Sequence, residues 1–295
     1  MPVERPTEIN ISLPSQIAPG PGLLLRSASF YVDKALEAGY DGHEWFPMRN
    51  LAEVGRQTND GALPDYVKES IRSAHQSWRH EKTFGEAWDN PNRKLRWLGM
   101  ASYFLFPETT ESLEYINRLQ EQLGRKLPVV MYPDTEGGRH TDFEFKNKTY
   151  QPSANVTREF GANTIQEMID EGRRRGFDSL TVDIHHMLGL GRWEEVLPRL
   201  LPHATEIHIA LGRIDDELDP KTQQKLEDLY SGRKGTEIYR ILETIKRIWS
   251  GGIVVTEIPY QALATLRKKY KESLETKDLV EDHRRIVDNL REALL

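Results

Sequence analysis

Short apolar or β-branched runs alternate along the chain with amphipathic stretches, the pattern of βα units wrapped around a parallel sheet. The first strand is expected over 8–13. The helix after it carries Val32, Ala35 and Leu36, with Ser29 placed to cap it and Gly39 to close it. Further strands are expected over 40–46 and 70–78, then a long helical region over 90–124 broken near Pro107. The fourth strand reads as 127–132, and a short fifth lies within 143–151, ending at Tyr150-Gln151-Pro152. Asn163 with Gln166 resembles a capping box opening a helix that carries Ile165, Met168 and Ile169. The sixth and seventh strands fall over 179–184 and 205–211, with a helix over 193–201 between them. Ile238, Ile241, Leu242, Ile245 and Ile248 form a stripe of 3.6 period. Gly251-Gly252 then leads into an eighth strand over 253–258, and the last helix carries Val280, Ile286, Leu290 and Leu294.

Eight strands separated mostly by helices predict an α/β fold of the (β/α)8 TIM-barrel type, as one domain over 1–295. An open doubly wound sheet needs a Gly-rich turn after an early strand, and the chain has none there. Gly189-Leu190-Gly191 lacks a third glycine and follows the sixth strand, so it reads as a flexible loop. Neither a Walker A pattern nor a Gly-x-Ser-x-Gly elbow is present.

Charge and composition narrow the chemistry. The 295 residues hold 40 Lys+Arg and 46 Asp+Glu, a net charge of −6 spread along the chain. That argues against a nucleic-acid or membrane-surface binder, and Arg173-Arg174-Arg175 and Arg267-Lys268-Lys269 read as solvated helix faces. With no cysteine, disulfides, thiolate zinc sites, iron–sulfur clusters and cysteine nucleophiles are excluded. No apolar run approaches the roughly 18 residues of a membrane helix. The start lacks a basic-then-apolar leader, so a cytoplasmic location is expected. Composition is silent on assembly, and a homo-oligomer stays open.

In a barrel of this kind chemistry gathers at the C-terminal strand ends. Glu44, His75, Asp183, His208 and Glu257 fall at or near those ends, where an unpaired charge is costly. Alternation puts His208 on one face with Glu206, Asp183 with Thr181, and Glu257 with Ile253 and Val255. Imidazoles and carboxylates converging from several strands would suit a divalent ion such as Mn, Mg, Co or Zn. Trp45 and Trp78 follow strands, where an aromatic face could stack on a sugar ring or pack the core. Arg26 and Arg49 could hold a phosphate or carboxylate or make surface ion pairs, and 132–147 could form a lid or interface loop.

Asp183-Ile184-His185-His186 resembles the sixth-strand Asp-x-x-His motif of the xylose isomerase-like TIM-barrel superfamily. Glu206-Ile207-His208-Ile209 is similar to its seventh-strand His segment, and Thr256-Glu257-Ile258-Pro259 to its last-strand Glu segment. The stretch from Ala35 to Glu44 resembles that superfamily's passage from first helix to second strand. The resemblance spans most of the chain and implies a sugar isomerase or epimerase acting on a small sugar or hydroxy-carbonyl compound. It also implies a divalent ion held by Asp183, His208 and Glu257, with His186 touching substrate and Glu257 moving the proton. Gln151 stands where the superfamily has a fifth-strand Glu, which would weaken the ion and remove one base; with a shifted strand, Asp134 or Glu136 takes that place. Glu44, His75, Trp45 and Arg49 are the further substrate-contact candidates. The endonuclease IV-like branch fits poorly: His75 matches, but Tyr132-Pro133-Asp134 stands where a His is needed and no Asp-x-His follows His208. Gln151 and Tyr132 also leave open a catalytically degenerate barrel that binds a sugar-like ligand or a protein partner.

Overall fold

The structure is a computed structural model. It describes residues 7–12, 28–45, 65–75, 109–131, 148–150, 179–189, 193–211, 220–258, 262, 263, 265, 266 and 276–295. Eight strands follow in chain order: β1 (Glu8–Ser12), β2 (Gly42–Trp45), β3 (Ile71–His75), β4 (Val129–Met131), β5 (Lys148–Tyr150), β6 (Ser179–Asp183), β7 (Ala204–Ala210) and β8 (Ile253–Glu257). Each pairs in parallel with the next, and β8 pairs with β1, so the sheet closes into a barrel. The described helices are α1 (Ala28–Glu37), α2 (Asp65–Glu69), α3 (Thr109–Leu123), α4 (Ile184–Gly189), α5 (Trp193–Leu200), α6 (Pro220–Tyr230), α7 (Glu237–Ile248) and α8 (Thr276–Leu294).

All eight expected strands are present, within a few residues of the expected bounds. Three local expectations need correction. Ser29 lies in the first turn of α1, which starts at Ala28, and so is not its cap. Gly189 ends α4 instead of opening a loop. Leu36, counted among the apolar residues of α1, stands exposed. Gly39 does close that helix with φ of 95°. Helices α2 and α6 were not anticipated. Pro220 opens α6, as suits a first helical position, yet Leu226 and Leu229 are its only aliphatic residues, too few for a visible stripe. The interruption at Pro107, the Asn163 capping box and the 132–147 segment lie outside the described residues.

Register across the sheet separates two sets of side chains. Val182, Ile207, Val254 and Ile9 align across β6, β7, β8 and β1, and all four are buried in the apolar core. They share that core with Val32 and Ala35 of α1, with Ile238, Ile241, Leu242 and Ile245 of α7, and with Ile286, Val287 and Leu290 of α8. The neighbouring register, Asp183, His208, Val255, Asn10 and Gly42, projects to the opposite face because successive strand residues alternate. That face is the barrel interior. TIM-barrel interiors are ordinarily filled by layers of Val, Ile and Leu; here Asn10, Glu44, Ser73, Thr181, Glu206 and His208 are buried in it.

Polar contacts fasten the last helix to this barrel. Tyr40 Oη and His283 Nδ1 share a hydrogen bond of 2.9 Å, and Thr256 Oγ1 donates to Tyr40 Oη at 2.9 Å. Tyr230 Oη donates to Asp282 Oδ1 at 2.8 Å. Burial raises the Tyr40 phenol far above its ordinary value, so it stays a neutral link. Among the described residues no helix is long and apolar enough to cross a membrane.

Gly42 marks the tightest approach between β2 and its neighbours. A Cβ there would stand 2.3 Å from the backbone oxygen of Ser70 and 3.0 Å from Asn10 Oδ1. That same Ser70 oxygen accepts the amide of His43 at 2.9 Å, so it cannot withdraw without losing a ladder bond. Gly42→Ala should therefore destabilise the protein by about 1–3 kcal/mol, the usual cost of overpacking. A thermal melt checks this: a midpoint several degrees lower is expected, and an unchanged midpoint would show that the strands can separate there freely.

Candidate metal centre

Alternation along β7 aims Glu206 and His208 into the interior, and alternation along β2 aims Glu44 there while sending His43 and Trp45 outward. The outward pair meets edge to face, ring centroids 6.2 Å apart, and Trp45 belongs to the apolar core. Inside, side chains from strands that are not neighbours in the sheet come into contact. Ser73 of β3 donates from Oγ to Glu206 Oε1 of β7 at 3.0 Å, a bond that can only cross the interior. His208 Nε2 lies 3.0 Å from Glu206 Oε1 and 3.4 Å from Glu44 Oε1. On its other side, His208 Nδ1 lies 3.6 Å from Glu257 Oε1, at the end of β8.

Glu44, Glu206 and His208 are fully buried, whereas the Glu257 side chain keeps 27% of its exposure. The imidazole thus joins a sealed pair of carboxylates to one carboxylate at the rim. Burial alone would lower the His208 pKa; the charges of Glu44 and Glu257 and the hydrogen bonds that Glu206 and Glu44 accept from it override this and hold it well above the ordinary value. Burial raises the Glu206 carboxyl, opposed by its bonds from His208 and Ser73 and reinforced by the charge of Glu44.

Ligand atoms of Glu44, Glu206 and His208 all lie within 4.8 Å of one another, which makes this group able to hold a metal ion. Two observations test the fit. Glu206 Oε2 is buried and has no hydrogen-bond partner among the described residues, as a coordinating oxygen would be. The charges also agree: three carboxylates, Glu44, Glu206 and Glu257, face one imidazole, an excess of acidic groups that a divalent ion would offset. The donor set, two carboxylate oxygens and a nitrogen, suits Mn, Co or Zn and, less well, Mg. Nearby on β1, Asn10 is fully buried with neither Oδ1 nor Nδ2 hydrogen-bonded among the described residues.

No family model and no curated protein sequence matches the chain. Solved structures do. A xylose isomerase domain containing protein from Salmonella typhimurium LT2 superposes with a TM-score of 0.54 at 13% identity, over 99% of each chain. A xylose isomerase-like TIM barrel/4-hydroxyphenylpyruvate dioxygenase fusion protein gives 0.50 at 13% identity, over 98% of this chain and 43% of that one. The fold is that of the xylose isomerase-like TIM barrels.

Within this xylose isomerase-like barrel, the residues singled out from sequence take distinct places. His208 and Glu257 meet, as described. Asp183 is the register neighbour of His208 on β6, and its Oδ1 accepts the amide of His185 at 2.8 Å, which caps the start of α4. Glu44, expected as a substrate contact, stands in the metal-capable group instead of at the rim. His186 sits in α4 and His75 ends β3, with their side chains outside the described residues. Gln151 and Arg49 lie outside them altogether. Glu206 was not among the expected site residues, although its position two before His208 in an apolar strand was a sufficient signal.

The outward neighbour of Glu44 has its own electrostatic consequence. Ser70 Oγ donates to the backbone oxygen of Val67 at 2.8 Å, so at 3.1 Å it can only accept from His43 Nδ1–H. His43 Nε2 is left buried as a bare acceptor without a partner among the described residues. Burial, with help from the Arg72 charge and against that of Glu44, lowers the His43 pKa to about 3. Unfolded, the same imidazole titrates near 6.5. Between these values the unfolded chain binds the extra proton, so this term is absent above about pH 6.5 and costs up to about 1.4 kcal/mol per unit as pH falls below it. Urea unfolding at pH 7, 6 and 5 should show a steeper loss of stability in the wild type than in His43→Gln. Equal slopes would mean that His43 takes up its proton in the folded protein.

Proposed function

We propose that this protein is a divalent-metal-dependent isomerase or epimerase acting on a small sugar or hydroxy-carbonyl compound, by proton transfer at the carbon next to the carbonyl. The observation that carries the reading is the line Glu257–His208–Glu206/Glu44: a partly exposed carboxylate at the C-terminal strand ends, backed by an imidazole that faces an ion-capable carboxylate pair. Barrels of this architecture present their reactive groups at that end. The similarity to a xylose isomerase domain containing protein supports the fold on which this chemistry is hung.

Glu44, Glu206 and His208 would hold the ion. When bound it would supply positive charge behind the His208 ring, favouring the negative charge that develops at the rim as a substrate C–H loses its proton. Glu257 is the base: its carboxylate stands at the rim and takes the proton from the carbon beside the carbonyl. Isomerisation completes when it delivers that proton to the former carbonyl carbon as the neighbouring hydroxyl proton passes to the former carbonyl oxygen, and epimerisation when a solvent proton reaches the first carbon from the opposite face. His208 Nδ1 faces Glu257 Oε1 across 3.6 Å. Asp183 fixes the turn from β6 into α4.

A reaction of this class exchanges the transferred hydrogen with solvent. Incubation with a panel of small aldoses, ketoses and hydroxy-carbonyl compounds in D2O, followed by proton NMR, should reveal deuterium at the carbon next to the carbonyl. A chelator should abolish the exchange and Mn²⁺ should restore it. Glu257→Gln should lower the rate at least about 100-fold, the usual share of a positioned base, at unchanged metal content. Exchange that persists in Glu257→Gln, or that is indifferent to chelator, contradicts the proposal.

A further inference from the structure

We propose that Ser73 determines which ion this centre accepts: by holding Oε1 of Glu206 toward its hydroxyl it disfavours a carboxylate turned with both oxygens to one ion, and so selects ions of the Mn²⁺, Co²⁺ and Zn²⁺ kind against Ca²⁺. The inference rests on the metal reading given above and extends it to a residue that touches no ion itself.

Ser73 reaches across the interior to make its 3.0 Å bond to Glu206 Oε1. Both groups are fully buried, so water does not compete for that bond. Oε1 also lies 3.0 Å from His208 Nε2. Once the imidazole turns that nitrogen to an ion, its proton is gone and the Ser73 hydroxyl is the donor that remains. Oε2 of the same carboxylate is buried with no hydrogen-bond partner among the described residues. The Ser73 bond thus holds Glu206 with Oε1 turned to the hydroxyl and Oε2 left over. Ca²⁺ takes six to eight oxygens and commonly draws both oxygens of a carboxylate, at about 2.3–2.6 Å. A site with one imidazole nitrogen and a carboxylate tied by one oxygen refuses that arrangement, while smaller ions with fewer ligands and a taste for nitrogen accept it. Removing the hydroxyl frees Oε1 and allows the carboxylate to turn both oxygens toward a larger ion. Ser73 is thus a positioning residue, acting through Glu206.

The experiment is competition between Mn²⁺ and Ca²⁺ on the full chain, following free Mn²⁺ by electron paramagnetic resonance, in the wild type, Ser73→Ala and Ser73→Thr. In the wild type, bound Mn²⁺ should resist a large excess of Ca²⁺. In Ser73→Ala, Mn²⁺ affinity should fall about 10-fold, as for loss of a group orienting a metal ligand, and the preference for Mn²⁺ over Ca²⁺ should shrink by a larger factor. Ser73→Thr keeps the hydroxyl and should keep the wild-type preference. A merely structural role would weaken both ions alike and leave the ratio unmoved, which would overturn the proposal. An unchanged ratio in Ser73→Ala, or a ratio lost in Ser73→Thr as well, does the same. If the alanine variant does not fold, Ser73→Cys, a weak donor of similar size, carries the same expectation. A wild type that binds no Mn²⁺ would instead remove the metal reading itself, and this inference with it.

Discussion

Two carboxylates and an imidazole meet in the sealed interior of this barrel, and an uncompensated ion in such a place costs several kcal/mol. That constraint governs the rest of the site. Glu206 satisfies one oxygen with Ser73 and His208, its carboxyl is pushed toward the neutral form, and His208 is pushed toward the charged form. A divalent ion would ease the same conflict by offsetting the carboxylates it touched. The protein has placed its hardest electrostatic problem where most barrels place aliphatic side chains.

The strands make this possible through their alternation. One register feeds Ile9, Val182, Ile207 and Val254 into a continuous apolar layer under the helices, and that layer carries the stability of the fold. The other register is consequently free to be polar. Gly42 and Asn10 lie in that second register, and the absence of a side chain at Gly42 leaves room beside the Asn10 amide. Fold and site are thus written on the same strands, in alternate positions.

Much of this was legible in the sequence because period-2 patterning and the 3.6-period stripe of α7 are strong local signals. Strand order and closure followed from counting them. Helix α6 was hidden because Lys225, Glu227 and Asp228, though buried, are charged, and their ion pairs and hydrogen bonds replace the apolar stripe that patterning detects. At the site, alternation put Glu206 beside His208, yet only the closed sheet shows that Glu44 and Ser73 reach the same point from the opposite wall. Cross-barrel contact has no sequence signature: residues 44, 73 and 206 are far apart in the chain and share no spacing rule. Resemblance directed attention to Asp183, whose carboxylate in this structure caps α4.

The central claim is that the interior pair Glu44 and Glu206, with His208, is a metal centre. Crystals grown with Mn²⁺ and measured above its absorption edge test it directly. The account predicts an anomalous peak inside the barrel within about 2.0–2.3 Å of His208 and of one oxygen from each of the two carboxylates. No peak there, with His208 still bonded directly to Glu206, would contradict it.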